Sequence, residues 1–148
     1  MNGTLVTLFT DASVLPGGSA GWGYWAKRDN ASSINGGGRF RDLITNVQEA
    51  ESAAIANAVH RLLKLEYIKR GDHVLIQTDA LTVVQYWESG RKILPARVRI
   101  AFDTLRARAS THALTYQFRH VKGHVDAGGR HYCNNTADKW AKRYARGI

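Results

Sequence analysis

Several features that would mark a particular class of protein are missing from this chain of 148 residues. It has one cysteine, Cys133, which excludes an internal disulfide framework and a zinc site built from several cysteines. It has no apolar run of about 18 residues, so we expect no membrane-spanning helix. The N-terminus shows no basic segment followed by an apolar one, as a secretion signal would. We therefore expect a protein of a reducing compartment, the cytoplasm.

The length and the hydrophobic fraction of 44% suit a single globular domain over residues 1–148. Acidic residues are scarce relative to basic ones, since 12 Asp and Glu stand against 21 Lys and Arg, giving a net charge of +9. Such an excess favours a polyanionic partner, above all nucleic acid. A basic structural protein would have the same charge, so charge alone leaves the function open.

The spacing of apolar residues predicts nine elements in the order β-β-β-α-β-α-α-β-α. We expect strands at residues 4–11, 21–27, 34–43, 73–80 and 114–121, and helices at 46–65, 81–89, 97–109 and 135–145. The first three strands would form an antiparallel meander, and the other two would run parallel to the first. This order implies an α/β fold with a mixed five-stranded sheet, three antiparallel strands then two parallel, and helices on both faces.

Two of the predicted strands close on the same dipeptide, Thr-Asp, at Asp11 and Asp79. The carboxyl ends of neighbouring parallel strands meet at one edge of a sheet, where binding crevices form. A partly desolvated carboxylate at that edge needs a hydrogen-bond network, a partner or a metal. Taken alone, the end of the first strand is better explained as a turn cap, with Asp11 or Ser13 bonding the backbone.

The predicted helices carry further acids. On the helix at 46–65, Glu51 shares the apolar stripe that faces the sheet, whereas Glu49 is turned away by about 200° and should face solvent. In that case Glu49 is an acidic residue near the N-terminus of the helix, where the helix dipole favours a negative charge. On the last helix, Asp138 shares a face with the small residues Ala141 and Ala145. Acids on core-facing stripes are costly unless they are paired or bind a metal.

Three or four carboxylates without cysteines are ligands for hard cations such as Mg²⁺ or Mn²⁺. Two such ions about 4 Å apart can activate water and stabilise the leaving oxygen in phosphodiester cleavage. This hypothesis requires that the acids meet in the fold, which their spacing does not establish.

Five short motifs follow one another along the chain: TDAS (10–13) with the Gly-rich PGGSAGWGYW after it, TNVQEAESAAI (45–55), LIQTDA (75–80), VKGH (121–124) and NNTAD (134–138). In this order and spacing the sequence resembles type I ribonuclease H over nearly its whole length. The resemblance implies the ribonuclease H-like fold. It also implies hydrolysis of the RNA strand of RNA–DNA hybrids with two Mg²⁺ ions, or Mn²⁺, leaving 5′-phosphate and 3′-hydroxyl ends.

The resemblance also implies roles for individual residues. It implies that four acids bind the metal ions: Asp11, Glu51, Asp79 and Asp138. His124 matches a histidine that assists proton transfer or product departure. Three further residues match family positions that contact the substrate or form hydrogen bonds within the active site: Thr45, Asn46 and Asn134. A monomer is the expected state.

Two other functions stay open at this point. A nuclease of the same fold that cuts DNA junctions is disfavoured by VKGH and NNTAD, and a hybrid-binding domain without catalysis is disfavoured by the four acids. The long basic handle of some bacterial members is not evident, although the arginines of SGRKILPARVR (89–99) partly replace it. The absence of this handle affects the expected affinity for the hybrid and leaves the expected cleavage reaction unchanged.

Overall fold

The computed structural model describes residues 3–90, 93–122 and 129–147. Within these residues there are five strands and four helices. The strands are β1 (Leu5–Val14), β2 (Ala20–Arg28), β3 (Ile34–Arg39), β4 (His73–Thr78) and β5 (Thr115–His120). The helices are α1 (Val47–Lys64), α2 (Leu81–Ser89), α3 (Ala96–His112) and α4 (Gly129–Ala145). No helix in this part of the chain is both long and apolar enough to cross a membrane.

The strands form one sheet in the order β3-β2-β1-β4-β5. β2 is antiparallel to β1 and β3, while β4 is parallel to β1 and β5, which confirms the predicted mixed α/β sheet. Phe9 of β1 lies opposite Gln77 of β4. Asp11 and Asp79 each lie two residues beyond this last pair, at the same edge of the sheet.

The two faces of the sheet carry different helices because β2 alternates large and small residues. Trp22 and Tyr24 are buried in the main core together with α1. Gly21 and Gly23 point to the other face, where a Cβ on either residue would overlap the backbone of α4. The absence of side chains there lets α4 lie close to the sheet, which carries Asp138 to the edge of β1.

Several element boundaries differ from the prediction. β1 does not end at Asp11, because residues 11–14 keep pairing with β2 as far as Val14 opposite Ala20. β3 ends at Arg39 instead of residue 43, where the chain turns away and the Ile44 N–H donates to the Gly18 carbonyl at 2.9 Å. α4 begins at Gly129, six residues before the predicted start, since its glycine-rich approach lacks the apolar spacing that indicates a helix.

Candidate active site

Three of the predicted acids converge at one edge of the sheet. Asp11, Glu51 and Asp79 each offer a carboxylate oxygen, and these oxygens all lie within 4.8 Å of one another. Each acid arrives from a different element: β1, the face of α1 that packs on the sheet, and the residue that follows β4. The structure therefore brings together residues that are separated by up to 68 positions in the sequence.

The backbone of β1 positions two of these carboxylates. The Ala12 N–H donates to Asp11 Oδ1 at 2.9 Å and to Glu51 Oε1 at 3.2 Å. Asp11 is 4% exposed and Glu51 is 5% exposed. The second oxygen of Glu51, Oε2, is buried and finds no hydrogen-bond partner among the described residues. Leaving such an oxygen unpaired costs free energy, so the site has unfilled capacity for a cation.

The carboxylates of the cluster carry like charges and repel one another. Burial, and then repulsion by Glu51, raises the pKa of Asp11 far above the usual range of a carboxyl group. Burial, and then repulsion by Asp79, raises the pKa of Glu51 to about 8. Carboxylates held together in this way favour either a bound proton or a bound cation.

A divalent ion fits this donor set. Mg²⁺ and Mn²⁺ prefer carboxylate oxygen, and the three oxygens are close enough together to ligate one ion. The buried and unpaired Glu51 Oε2 is a further oxygen of the site that is available to such an ion.

Asp138 lies beside this group and not within it. It lines the same cavity of about 440 Å³ as the three acids, and Lys142 Nζ lies 3.0 Å from Asp138 Oδ2. Lys142 is a residue of the site that the sequence analysis did not identify. The signal was present, because Asp138 and Lys142 are four residues apart on a helix and such pairs share a face.

Glu49 does not face solvent as predicted. Its Oε2 accepts a hydrogen bond from the Arg97 N–H at 2.8 Å, at the first turn of α3. The helical-wheel argument correctly turned Glu49 away from the sheet, but α3 packs against that side of α1. Glu49 therefore caps a neighbouring helix, and its carboxylate is not part of the acidic cluster.

The predicted substrate residues fall in different surroundings. Asn46 is the N-cap of α1, and its Oδ1 accepts from the Glu49 N–H at 2.9 Å. Thr45 is exposed directly before it. Asn134 is 3% exposed, and its buried Oδ1 has no partner among the described residues. His124 lies outside the described residues.

A crevice with converging carboxylates, at the carboxyl end of parallel strands in a mixed sheet, suits a divalent-metal site of the kind that metal-dependent nucleases use. The RNase H family model matches residues 3–146. The chain therefore belongs to the RNase H family and is a metal-dependent ribonuclease. A comparison with curated protein sequences finds no match.

Solved structures show the same fold. RNase H1 from Halobacterium salinarum superposes with a TM-score of 0.74 at 14% identity, covering 97% of this chain and 99% of that one. LC11-RNase H1 in complex with an RNA/DNA hybrid also gives 0.74 at 14% identity, covering 96% and 97%. The N-terminal RNase H domain of a Mycobacterium tuberculosis protein gives 0.69 at 16% identity, covering 97% and 95%. At these identities the likeness concerns the fold.

Proposed function

We propose that this chain is an endonuclease that hydrolyses the RNA strand of RNA–DNA hybrids. The observation that carries the proposal is the acidic cluster, in which Asp11, Glu51 and Asp79 place carboxylate oxygens within 4.8 Å of one another beside an open cavity. Two lines of support join it: the chain belongs to the RNase H family, and a structural neighbour, LC11-RNase H1, was solved with an RNA/DNA hybrid.

In this proposal the four acids Asp11, Glu51, Asp79 and Asp138 hold two Mg²⁺ ions, with Mn²⁺ able to replace them. Ions bound there would supply an activated water and stabilise the leaving oxygen, which yields 5′-phosphate and 3′-hydroxyl ends. The Ala12 N–H keeps Asp11 and Glu51 oriented towards each other before any ion binds. Lys142 partly neutralises Asp138, which lowers the repulsion within the cavity.

The remaining predicted residues act on the substrate. Thr45 lies before the first turn of α1, which borders the acidic cavity through Val47, and we assign it a contact with the DNA-strand phosphate. Asn46 combines its capping role with a contact to the hybrid. The buried Asn134 makes a hydrogen bond within the active site, and His124 assists proton transfer or product departure. We propose that the chain works as a single-domain monomer in the cytoplasm.

The test is cleavage of an RNA–DNA hybrid with a label on each strand in turn, in the presence of Mg²⁺. Duplex DNA, duplex RNA, single strands and a branched DNA junction serve as the competing substrates, and Asp79→Asn serves as the inactive control. We expect cutting of the RNA strand in the hybrid alone, with 5′-phosphate ends. Cutting of the junction, or tight binding to the hybrid without cutting in Mg²⁺ or Mn²⁺, would contradict the proposal.

A further inference from the structure

A basic cleft lies along α1, with α3 on one side and the end of β3 and the loop after it on the other. One part of it measures about 690 Å³, and an adjoining part measures about 470 Å³. The two parts share five lining residues: Asp42, Ala53, Asn57, His60 and Arg97. None of the residues assigned to catalysis lines either part. The proposed hydrolysis therefore assigns no role to the basic cleft.

The lining of the basic cleft is strongly positive. Five arginines contribute to its walls: Arg39, Arg41, Arg61, Arg97 and Arg108. The single lining carboxylate belongs to Asp42, and Arg97 Nη2 lies 3.3 Å from its Oδ2. One ion pair thus leaves four arginines of the cleft without a carboxylate among its lining residues. A surface with this imbalance attracts a polyanion.

The arginines are held along the walls by neighbouring groups. Arg108 Nη2 donates to His60 Nδ1 at 2.9 Å. The Arg61 guanidinium lies 5.0 Å from the centre of the Trp22 ring and donates to the Gly37 carbonyl at 3.4 Å. Burial, and then the charge of Arg108, lowers the pKa of His60. These contacts order the side chains in advance, which reduces the entropy lost when a ligand binds.

One part of the basic cleft runs lengthwise between α1 and α3. α1 and α3 run in the same direction, because Glu49 contacts Arg97 at their first turns and His60 contacts Arg108 further along both helices. Between these two contacts the helices extend about 16 Å, and packed helices lie about 8–10 Å apart. Small residues line the cleft between them, among them Ala53, Ala56 and Ala101. A groove of this length with arginines along it suits a segment of one sugar–phosphate chain.

The end of the basic cleft at Asp42 and Arg97 is close to the acidic site. Asp42 belongs to the loop that leads into α1, and Val47, the first residue of α1, lines the acidic cavity. A strand that leaves the acidic cavity over the first turn of α1 therefore reaches the cleft directly.

We propose that the basic cleft binds the phosphodiester backbone of a single-stranded segment that continues from the hybrid beyond the cleaved region. This inference rests on the proposed function, since it requires a hybrid in the acidic cavity. Arginine guanidinium groups suit phosphate oxygens because they present paired donors in a fixed fork. Two aromatic residues line the adjoining part of the cleft: Trp22, which is 5% exposed and has the Arg61 guanidinium over its ring, and the half-buried Phe40. Phosphate contacts carry no sequence information, so we expect binding that is independent of sequence.

The experiment measures the affinity of Asp79→Asn, which prevents cleavage, for a blunt hybrid and for the same hybrid with a single-stranded extension at one end or the other. Fluorescence anisotropy is recorded over a range of salt concentrations. We expect one of the extensions to tighten binding by about tenfold. Replacing Arg41 and Arg108 by Gln should remove this gain and reduce the salt slope by about 1.4, because each single-strand phosphate contact contributes about 0.7.

A matched control removes the same charge elsewhere: Arg70→Gln with Arg146→Gln, two exposed arginines outside the cleft, should keep the gain. Thermal unfolding of each variant reports on folding, and Arg41→Gln alone should reduce the salt slope by about 0.7. The inference is overturned if neither extension improves affinity, if the control loses the gain equally, or if a poly-glutamate peptide binds the cleft and an oligonucleotide does not. Cleavage of the hybrid by the wild-type chain is assayed separately, so a failure of catalysis is distinguished from a failure of the cleft.

Discussion

Residues two positions apart on α1 have separate tasks. The Glu51 carboxylate lies against the sheet and shares the Ala12 N–H with Asp11, whereas the Glu49 carboxylate bonds the first turn of α3. Helical periodicity in the sequence correctly predicted that the two side chains point in different directions from the axis of α1. It did not identify the partner of Glu49, because helical periodicity describes one helix and carries no information about the helix packed beside it.

This pair gives a matched test of the site. Glu51→Gln should lower kcat on an RNA–DNA hybrid by about a hundredfold or more, comparable to losing one preorganised electrostatic contact. Glu49→Gln should change kcat by less than about threefold, since its carboxylate is outside the acidic cluster. Glu49→Ala should instead lower the free energy of unfolding by about 1 kcal/mol, because it removes the acceptor for the Arg97 N–H. Steady-state kinetics and urea unfolding measure the two effects, and equal losses of kcat in both Gln variants would refute the assignment.

The acidic cluster should also make the metal-free protein sensitive to alkaline pH. Asp11 and Glu51 have raised pKa values in the folded state, so the folded chain binds more protons than the unfolded chain. The unfolding free energy should therefore fall as pH rises from about 4, the unfolded carboxyl pKa, towards the Glu51 pKa of about 8. In EDTA at pH 8, Asp11→Asn should be more stable than the wild type by about 1–3 kcal/mol.

The control for this effect is Asp29→Asn, at an exposed aspartate in the turn after β2. It should change the unfolding free energy by less than about 0.5 kcal/mol. Adding Mg²⁺ should stabilise the wild type more at pH 8 than at pH 5, because the ion binds deprotonated carboxylates of the folded state. A wild type whose stability rises between pH 5 and pH 8 without metal would contradict the account.

At the scale of elements, the packing of α4 on β2 sets the position of Asp138. Gly23 lies directly under α4, and a Cβ there would overlap the Ala137 carbonyl oxygen and approach the Ala141 nitrogen to 2.8 Å. The sequence showed the alternation of small and aromatic residues in GWGYWAK and hence a strand. It did not show which helix used the small face, because that depends on a contact between residues more than 110 positions apart.

Gly23→Ala should therefore lower the free energy of unfolding by about 1–3 kcal/mol, as overpacking does in a close-packed interior. It should also lower kcat, because α4 must move and Asp138 moves with it. Gly17→Ala is the matched control, since a Cβ at Gly17 meets nothing within 4 Å. Chemical unfolding and hybrid cleavage measure both variants. An unchanged Gly23→Ala protein would show that α4 does not depend on this close approach.

At the scale of the whole molecule, the order of strands and helices followed from periodicity, and the parallel pairing of β1 with β4 then brings Asp11 and Asp79 to the same edge of the sheet. What the sequence could not provide is the set of surfaces that arise between elements. The arginine-lined cleft between α1 and α3 belongs to this class. Its residues are ordinary surface positions until the helices are packed together.

The net charge of +9 makes a prediction at the same scale. Binding of the wild-type chain to any nucleic acid should weaken steeply with salt, and the loss should be similar for a hybrid and for duplex DNA of equal length. Preference for the hybrid should persist at high salt, because it depends on contacts other than phosphate neutralisation. Affinities measured between low and physiological salt test this, and a hybrid preference that vanishes as salt rises would oppose it.

The central claim is that Asp11, Glu51 and Asp79 hold the divalent ions with which this chain cuts RNA paired to DNA. Its most direct test is the initial rate of RNA-strand cleavage in a hybrid, measured against Mg²⁺ concentration for the wild type and for Asp79→Asn. We predict no cleavage in EDTA, a rate that rises with Mg²⁺ and saturates for the wild type, and a rate at least about a hundredfold lower for Asp79→Asn at every concentration. Cleavage that persists in EDTA, or that Asp79→Asn performs as fast as the wild type, would contradict the account.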